Sequence, residues 1–394
     1  MEQRVISGNV AQSYAARLAR VQVVAAYPIT PQTTIVEKLA DFVSDGSLKA
    51  KYVRVESEHS ALQACVSAAA LGARAYSATS GQGLLLMHEL LHWAAGMRAP
   101  VVMGVVNRAV APPWSIGADH ADTMAQRDTG WIQFYSESNQ EVLDTVLLAY
   151  RLAEDLAIRL PVMVTEDAFY LSHTLEPVEI PSQSEVDAFL PPRVPLATLD
   201  PGTASRLGSF TGPDEYVRFR HAVSEAIERV PAVLAEVERE YARITGRSHH
   251  GPLPTYRTED ADTVLVTMGT ATTTARGVVD ELRSEGHKVG LAKLRLFRPF
   301  PVRELRTLAG HVDRLGVLDR SYTFGGLGPA ATEVRSALYG RPGSPSVSSF
   351  LAGIGGRDIT PGRLRQAFRA LEAGPSNDPV WIDLEREDGV EAHG

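Results

Sequence analysis

Apolar residues along the chain fall into short runs, separated by stretches in which they recur at helical spacing. Val21–Ala26, Lys51–Val55, Arg74–Ala78, Pro100–Val106 and Pro161–Thr165 read as strands. Between them, Ile35, Val36, Leu39 and Phe42 share one helix face, and Ala61, Cys65, Ala68 and Ala69 share another. Leu84 to Ala95 and Val142 to Leu156 continue the pattern. Thr33 or Thr34 is placed to cap the first of these helices. Alternating apolar strands and amphipathic helices predict a parallel sheet covered on both faces. The strand Lys51–Val55 is expected to deliver Glu56 and Glu58 at its C-terminal end, where ligands gather in such sheets.

The rhythm changes after Ser172. From there to about Asp214 the chain is proline-rich and aperiodic, and reads as a long arm over the surface. Tyr216 to Ile244 is a charged amphipathic helix that Pro231 should break or kink. A polar linker, Gly246 to Pro252, leads to a second α/β unit. Its strands are Thr263–Met268, Val289–Leu294, Arg314–Asp319 and Ser346–Leu351, with helices after Thr273, Pro301 and the glycine-rich Phe324–Pro329. The expected division is 1–250, 251–380 and a tail of 381–394, polar and loosely held from Gly374 onward.

With 394 residues, two or three domains are expected, and 44% apolar with 22% charged residues is the composition of a soluble globular protein. A net charge of -8 argues against nucleic acid as the main partner. No apolar run reaches the ~20 residues that span a bilayer. With no secretory signal at the start, a cytoplasmic location is the default expectation. The one cysteine, Cys65, excludes an internal disulfide and any iron–sulfur cluster held by several thiolates of this chain.

Candidate chemistry concentrates near the first strands. YPITP (27–31) carries Thr30, and ESEH (56–59) carries Glu58, so a hydroxyl and a carboxylate are expected to face one crevice. A carboxylate there serves as a proton carrier when burial shifts it; a glutamate salt-bridged to Arg54 or Lys51 is the equally simple alternative. Arg108 follows a strand and suits a substrate carboxylate, against the reading of an ordinary surface arginine. The turn Thr79-Ser80-Gly81-Gln82-Gly83-Leu84 allows close backbone approach to a ligand. FGGLGP (324–329) lacks GxGxxG spacing and is expected only to permit close packing. HELLH (88–92) matches the HExxH pattern of zinc proteases. The longer metzincin form wants glycine at 95 and histidine at 98, where this chain has Ala95 and Arg98. No metal site is expected here, and the two histidines are expected to pack or hydrogen-bond.

Together these segments resemble the alpha subunit of the 2-oxoacid:ferredoxin oxidoreductase family, which includes pyruvate:ferredoxin oxidoreductase. The likeness covers nearly the whole chain: YPITP, ESEHSA (56–61), TSGQGL (79–84), NRA (107–109), DHADTMAQRDTGWIQFYSESNQE (119–141), LPVMV (160–164), EPVEIP (176–181) and LDRS (318–321). It implies a pyrimidine-binding domain of a thiamine diphosphate enzyme, followed by a transketolase C-terminal-like domain. By resemblance, Glu58 hydrogen-bonds the cofactor's aminopyrimidine, Pro28 lines its pocket, and Thr79, Ser80 and Gln82 border it. Thr30 and Arg108 would hold the 2-oxoacid. The GDG signature for the diphosphate and Mg²⁺ is absent, and so are iron–sulfur ligands. The resemblance therefore implies a beta subunit holding diphosphate and Mg²⁺, gamma and ferredoxin-like delta subunits with [4Fe-4S] clusters, CoA as co-substrate and ferredoxin as acceptor.

Two positions depart from the family pattern. Gly81 stands where the family usually has a second serine, and Gly117 where a tryptophan often precedes DH. Both suggest a reshaped pocket, for a 2-oxoacid other than pyruvate. A subunit for oxalate or a branched 2-oxoacid, and a non-catalytic scaffold, are the competing readings.

Overall fold

The computed structural model of the chain describes residues 2–195, 202 and 207–384. Its first part runs β1 (Glu2–Ile6), α1 (Gly8–Leu18), β2 (Val23–Ala25), α2 (Thr33–Ser44), β3 (Lys51–Val53), α3 (Glu58–Ala70), β4 (Ala75–Thr79), α4 (Gly81–Leu86), α5 (His88–Gly96) and β5 (Val102–Asn107). It continues with α6 (Ala121–Met124), β6 (Ile132–Tyr135), α7 (Asn139–Ala153), β7 (Val162–Asp167), β8 (Glu176–Ile180), α8 (Gln183–Phe189) and α9 (Pro213–Thr245). The second part holds β9 (Thr255–Tyr256), β10 (Thr263–Thr267), α10 (Ala271–Ser284), β11 (Val289–Lys293), β12 (Leu296–Arg298), α11 (Val302–Leu308) and β13 (Arg314–Asp319). It ends with α12 (Pro329–Leu338), β14 (Ser346–Leu351), α13 (Pro361–Ala373) and β15 (Val380–Trp381).

A seven-stranded sheet in the order β12-β6-β7-β5-β4-β2-β3 forms the first layer structure. All its pairs are parallel except β12 with β6. Alternate side chains enter two different cores: Val24, Tyr76, Val102 and Val162 on one face, Ala25, Ala75, Met103 and Met163 on the other. Period-two alternation with both faces apolar means helices cover both sides. The second sheet, β15-β14-β13-β10-β11-β9, repeats this: Val264, Val266, Leu315 and Val317 face one core, Leu265, Leu318 and Phe350 the other.

Several expectations are corrected. The arm is not aperiodic throughout: β8 pairs antiparallel with β1, and α8 starts on a capping box between Ser182 and Glu185. Residues 196–201 and 203–206 of that arm lie outside the described residues. α9 runs unbroken through Pro231. Val230, Leu234, Val237 and Tyr241 are buried in the first core, and this packing offsets the ~3 kcal/mol a helix-interior proline costs. The tail is docked as far as Asp383. β15 adds to β14, and Asp383 Oδ2 accepts the Gly353 N–H at 2.6 Å; 385–394 lie outside the described residues. Neither Thr33 nor Thr34 caps α2. Gln32 stands at that position and turns its amide to the Ala78 carbonyl at 2.6 Å, while Asn9 donates to Thr34 Oγ1 at 2.5 Å.

β12 belongs in sequence to the second part but completes the edge of the first sheet. The excursion carries Lys293 and Arg295 into a buried cluster with Glu141 of α7 and Glu238 of α9. Arg295 Nε donates to Glu141 at 2.8 Å, Arg295 also pairs with Glu238, and Lys293 with Glu141. Burial alone would raise the Glu141 carboxyl, but Lys293 and Arg295 hold it down at about 2. Among the described residues no helix is long and apolar enough to cross a membrane.

Candidate active site

Adjacent parallel strands bring the expected site residues together. The loop after β2 carries Pro28 and Thr30, the turn after β4 carries Ser80, Gly81 and Gln82, and Arg108 follows β5. These three strands are neighbours in the order β5-β4-β2, with β3 beside them leading to Glu58. Glu58 is not at a strand end as expected. β3 stops at Val53, and Glu58 is the first residue of α3, whose N-cap is Ser57, with its Oγ taking the Ser60 N–H at 3.2 Å.

Arg108 is buried and turned inward. It donates from Nη1 to the Thr30 carbonyl at 2.6 Å and from Nη2 to Gln82 Oε1 at 2.7 Å. Thr30 thus meets Arg108 through its backbone, and its side chain lies on the exposed side of the loop, as does Pro28. Burial lowers the Arg108 guanidinium's proton affinity, and the nearby Asp122 carboxylate opposes this.

Asp122 is the residue the sequence reading missed. Its Oδ2 accepts the backbone N–H of Arg108 and of Gly81, both at 3.1 Å. Its Oδ1 accepts Asn107 Nδ2 at 2.9 Å and the Thr123 N–H at 2.7 Å. The anion at the start of α4 is therefore an internal carboxylate. Burial pushes Asp122 up to about 6, against the pull of these donors. Its place inside the long DHADTM motif, two residues beyond His120, was the available signal.

Glu58, Thr79 and Gly83 form the second half of the site. A Cβ on Gly83 would lie 2.5 Å from Thr79 Oγ1 and 2.7 Å from Glu58 Oε1, so only glycine fits between them. Thr79 Oγ1 and Gln82 Nε2 are buried with no hydrogen-bond partner among the described residues. A buried carboxylate, a free hydroxyl and a free amide N–H₂ offer acceptor and donor groups to the edge of a heteroaromatic ring. Ser80 is different: its hydroxyl is committed to the Val106 carbonyl at 2.6 Å and ties β4 to β5.

The remaining candidates have structural roles. His88 of HELLH bonds Gln126 through Nδ1 at 2.5 Å, and its ring meets His92 edge-on at 5.0 Å. Cys65 is buried, and burial raises its thiol to about 12. Gly117 lies near Arg108, its carbonyl accepting the Ala109 N–H at 3.0 Å. A Cβ there would lie 2.4 Å from the Gly355 carbonyl, so its glycine permits backbone contact between the two parts of the chain. Gly328 of FGGLGP likewise admits Asp319, which accepts the Ala330 and Ala331 N–H groups at the start of α12.

Residues 14–239 match the family of the thiamine diphosphate-binding domain of pyruvate flavodoxin/ferredoxin oxidoreductase. Residues 261–364 match pyruvate:ferredoxin oxidoreductase core domain II. This chain belongs to the pyruvate:ferredoxin oxidoreductase family. It is 48% identical over 384 residues to the pyruvate synthase subunit PorA of Methanothermobacter thermautotrophicus, covering 98% of this chain and 99% of that one. It is 50% identical over 389 residues to the ketoisovalerate oxidoreductase subunit VorA of Pyrococcus horikoshii, covering 97% and 98%. The fold is shared with a 2-oxoglutarate:ferredoxin oxidoreductase from Magnetococcus marinus, solved with 2-oxoglutarate, coenzyme A and succinyl-CoA bound. That match has a TM-score of 0.72 at 18% identity and covers 94% of this chain and 65% of that one.

Proposed function

We propose that this chain is the alpha subunit of a thiamine-diphosphate-dependent 2-oxoacid:ferredoxin oxidoreductase. The reaction is oxidative decarboxylation of pyruvate or a related 2-oxoacid to an acyl-CoA and CO2, with electrons passed to ferredoxin. One observation carries this reading: Glu58 at the start of α3 and Thr79 at the end of β4 close on Gly83, next in the chain to Gln82, which with the Thr30 carbonyl holds Arg108 after the neighbouring parallel strand β5.

Thiamine diphosphate, when bound, supplies the nucleophilic carbon and the electron sink that decarboxylation of a 2-oxoacid needs. Glu58 is positioned to exchange a proton with the cofactor's aminopyrimidine edge. Thr79 Oγ1 is a spare polar group beside it, Gln82 Nε2 another on the Arg108 side, and Pro28 offers an apolar wall on the loop of Thr30. Ser80 contributes by fixing the turn rather than by contact. Arg108 and the Thr30 hydroxyl are assigned to the substrate's carboxylate and keto oxygen, since a guanidinium suits a carboxylate's two oxygens. Residues 1–250 act as the pyrimidine-binding unit and 251–380 as the transketolase C-terminal-like unit, with 381–394 as a tail.

A beta subunit holding the diphosphate and Mg²⁺ completes the site, because this chain has no GDG signature. Gamma and ferredoxin-like delta subunits, or fused equivalents, carry the [4Fe-4S] clusters that a single cysteine cannot hold, and CoA is the acyl acceptor. The complex works in the cytoplasm. Relatives named for pyruvate and for ketoisovalerate are similar in identity, so a branched 2-oxoacid is the second reading of the substrate. Co-expression with a beta subunit and electron-transfer partners tests the assignment. CoA- and 2-oxoacid-dependent reduction of a viologen dye under anaerobic conditions is expected from the complex and not from this chain alone. A correctly assembled complex inactive with every 2-oxoacid would overturn it.

A further inference from the structure

Gly81 has φ +51, and a Cβ built there would lie 2.8 Å from both Cγ and Nε of Arg108 and 3.1 Å from Cδ. The arginine's aliphatic stem therefore runs flat against the Cα of Gly81. The two backbones cannot part to make room, because one oxygen of Asp122 holds the N–H of both residues. Any side chain at 81 has to push the stem of Arg108 away from the turn. Here, with glycine, the guanidinium is drawn back and anchored on the Thr30 carbonyl and Gln82 Oε1.

We infer that Gly81 determines substrate size by letting Arg108 retract, so that the site accepts 2-oxoacids bulkier than pyruvate at the carbon next to the keto group. This rests on the reading of Arg108 as the substrate's carboxylate partner. A retracted anchor draws the substrate carboxylate toward the turn and leaves more room on the opposite side. The other acidic groups of the site, Glu58 and Asp122, offer no cation to a second carboxylate, and this favours an apolar side chain. The substrate class is a 2-oxoacid with a branched aliphatic side chain.

The test compares kcat/KM for 2-oxoisovalerate and pyruvate in the reconstituted complex for wild type, Gly81→Ser and Gln82→Leu. The second variant loosens Arg108 by removing its side-chain acceptor while leaving Gly81, the residue with positive φ, in place; loss of Gln82 Nε2 beside the cofactor affects both acids alike and cancels in the ratio. Both variants are expected to shift the ratio toward pyruvate about tenfold, the effect of misfitting one or two methyl groups, mainly through KM for the branched acid. A ratio that stays within about twofold of wild type in Gln82→Leu, with the complex intact, overturns the inference. Calorimetric titration of the complex with each acid separates this from the underlying reading. Tighter binding of the branched acid, lost in Gln82→Leu, supports it even where turnover fails, and equal binding of the two acids overturns it.

Discussion

Asp122 and Arg108 are joined through a backbone hydrogen bond of 3.1 Å, and the oxygen that makes it also holds Gly81. Substituting Asp122 by Asn keeps the shape but turns an amide N–H₂ toward either the Arg108 and Gly81 pair or the Asn107 and Thr123 pair. An unmet buried donor costs about 1–3 kcal/mol. Asp122→Asn should therefore raise KM for the 2-oxoacid by roughly tenfold or more, measured in the reconstituted complex. The carboxylate form does the holding, so wild-type kcat/KM should fall as pH drops through about 6. That limb should be missing in the variant, and a variant that retains it would contradict the positioning role.

Glu166 at the end of β7 bonds Gln12 through Oε1 at 3.0 Å, while Oε2 has no partner among the described residues. Burial raises its carboxyl to about 8. The folded state then keeps a proton that the unfolded chain releases near pH 4. Its contribution to stability is present in full below that value and is lost as pH rises toward about 8. Glu166→Gln keeps the acceptor for Gln12 and removes the ionisation. Its melting temperature should exceed wild type by a margin that grows between pH 4 and 8 and then levels. A pH-independent margin would contradict the assignment.

Arg295 is fully buried between Glu141 and Glu238, where the excursion of β12 locks the second part of the chain onto the first. Arg295→Met leaves the buried Glu238 without its cation and Glu141 with Lys293 alone, and should destabilise the chain by about 3–5 kcal/mol in urea titration. A loss below about 1 kcal/mol would mean the cluster is better solvated than its burial indicates.

Five strands of the first sheet and the four main strands of the second were legible because buried parallel strands leave apolar runs that few other structures produce; β6, buried and parallel but only four residues long with Gln133 inside it, was not. The helix through Pro231 was not, since the packing of Leu234 and Tyr241 outweighs a local cost the sequence displays openly. β1 and β8 escaped because each is a short, largely exposed strand with no apolar run of its own. Thr30, Glu58 and Arg108 were singled out from strand-end positions, yet Glu58 sits on α3 because Ser57 caps that helix. Asp122 was hidden because its role is to accept two backbone N–H groups from segments far from it in sequence. Gly117 was read as part of the pocket, and only the approach of Gly355 explains its missing side chain.

The central claim is that Glu58 is the catalytic carboxyl of a thiamine site shared with a partner subunit. Its most direct test is anaerobic, CoA- and 2-oxoacid-dependent viologen reduction by the reconstituted complex carrying Glu58→Gln, with assembly verified by size-exclusion chromatography. The account predicts a loss of roughly 10²–10⁴-fold, the usual contribution of a positioned acid–base group, in an intact complex. Activity within about twofold of wild type would show that the proton is handled elsewhere and would contradict the assignment.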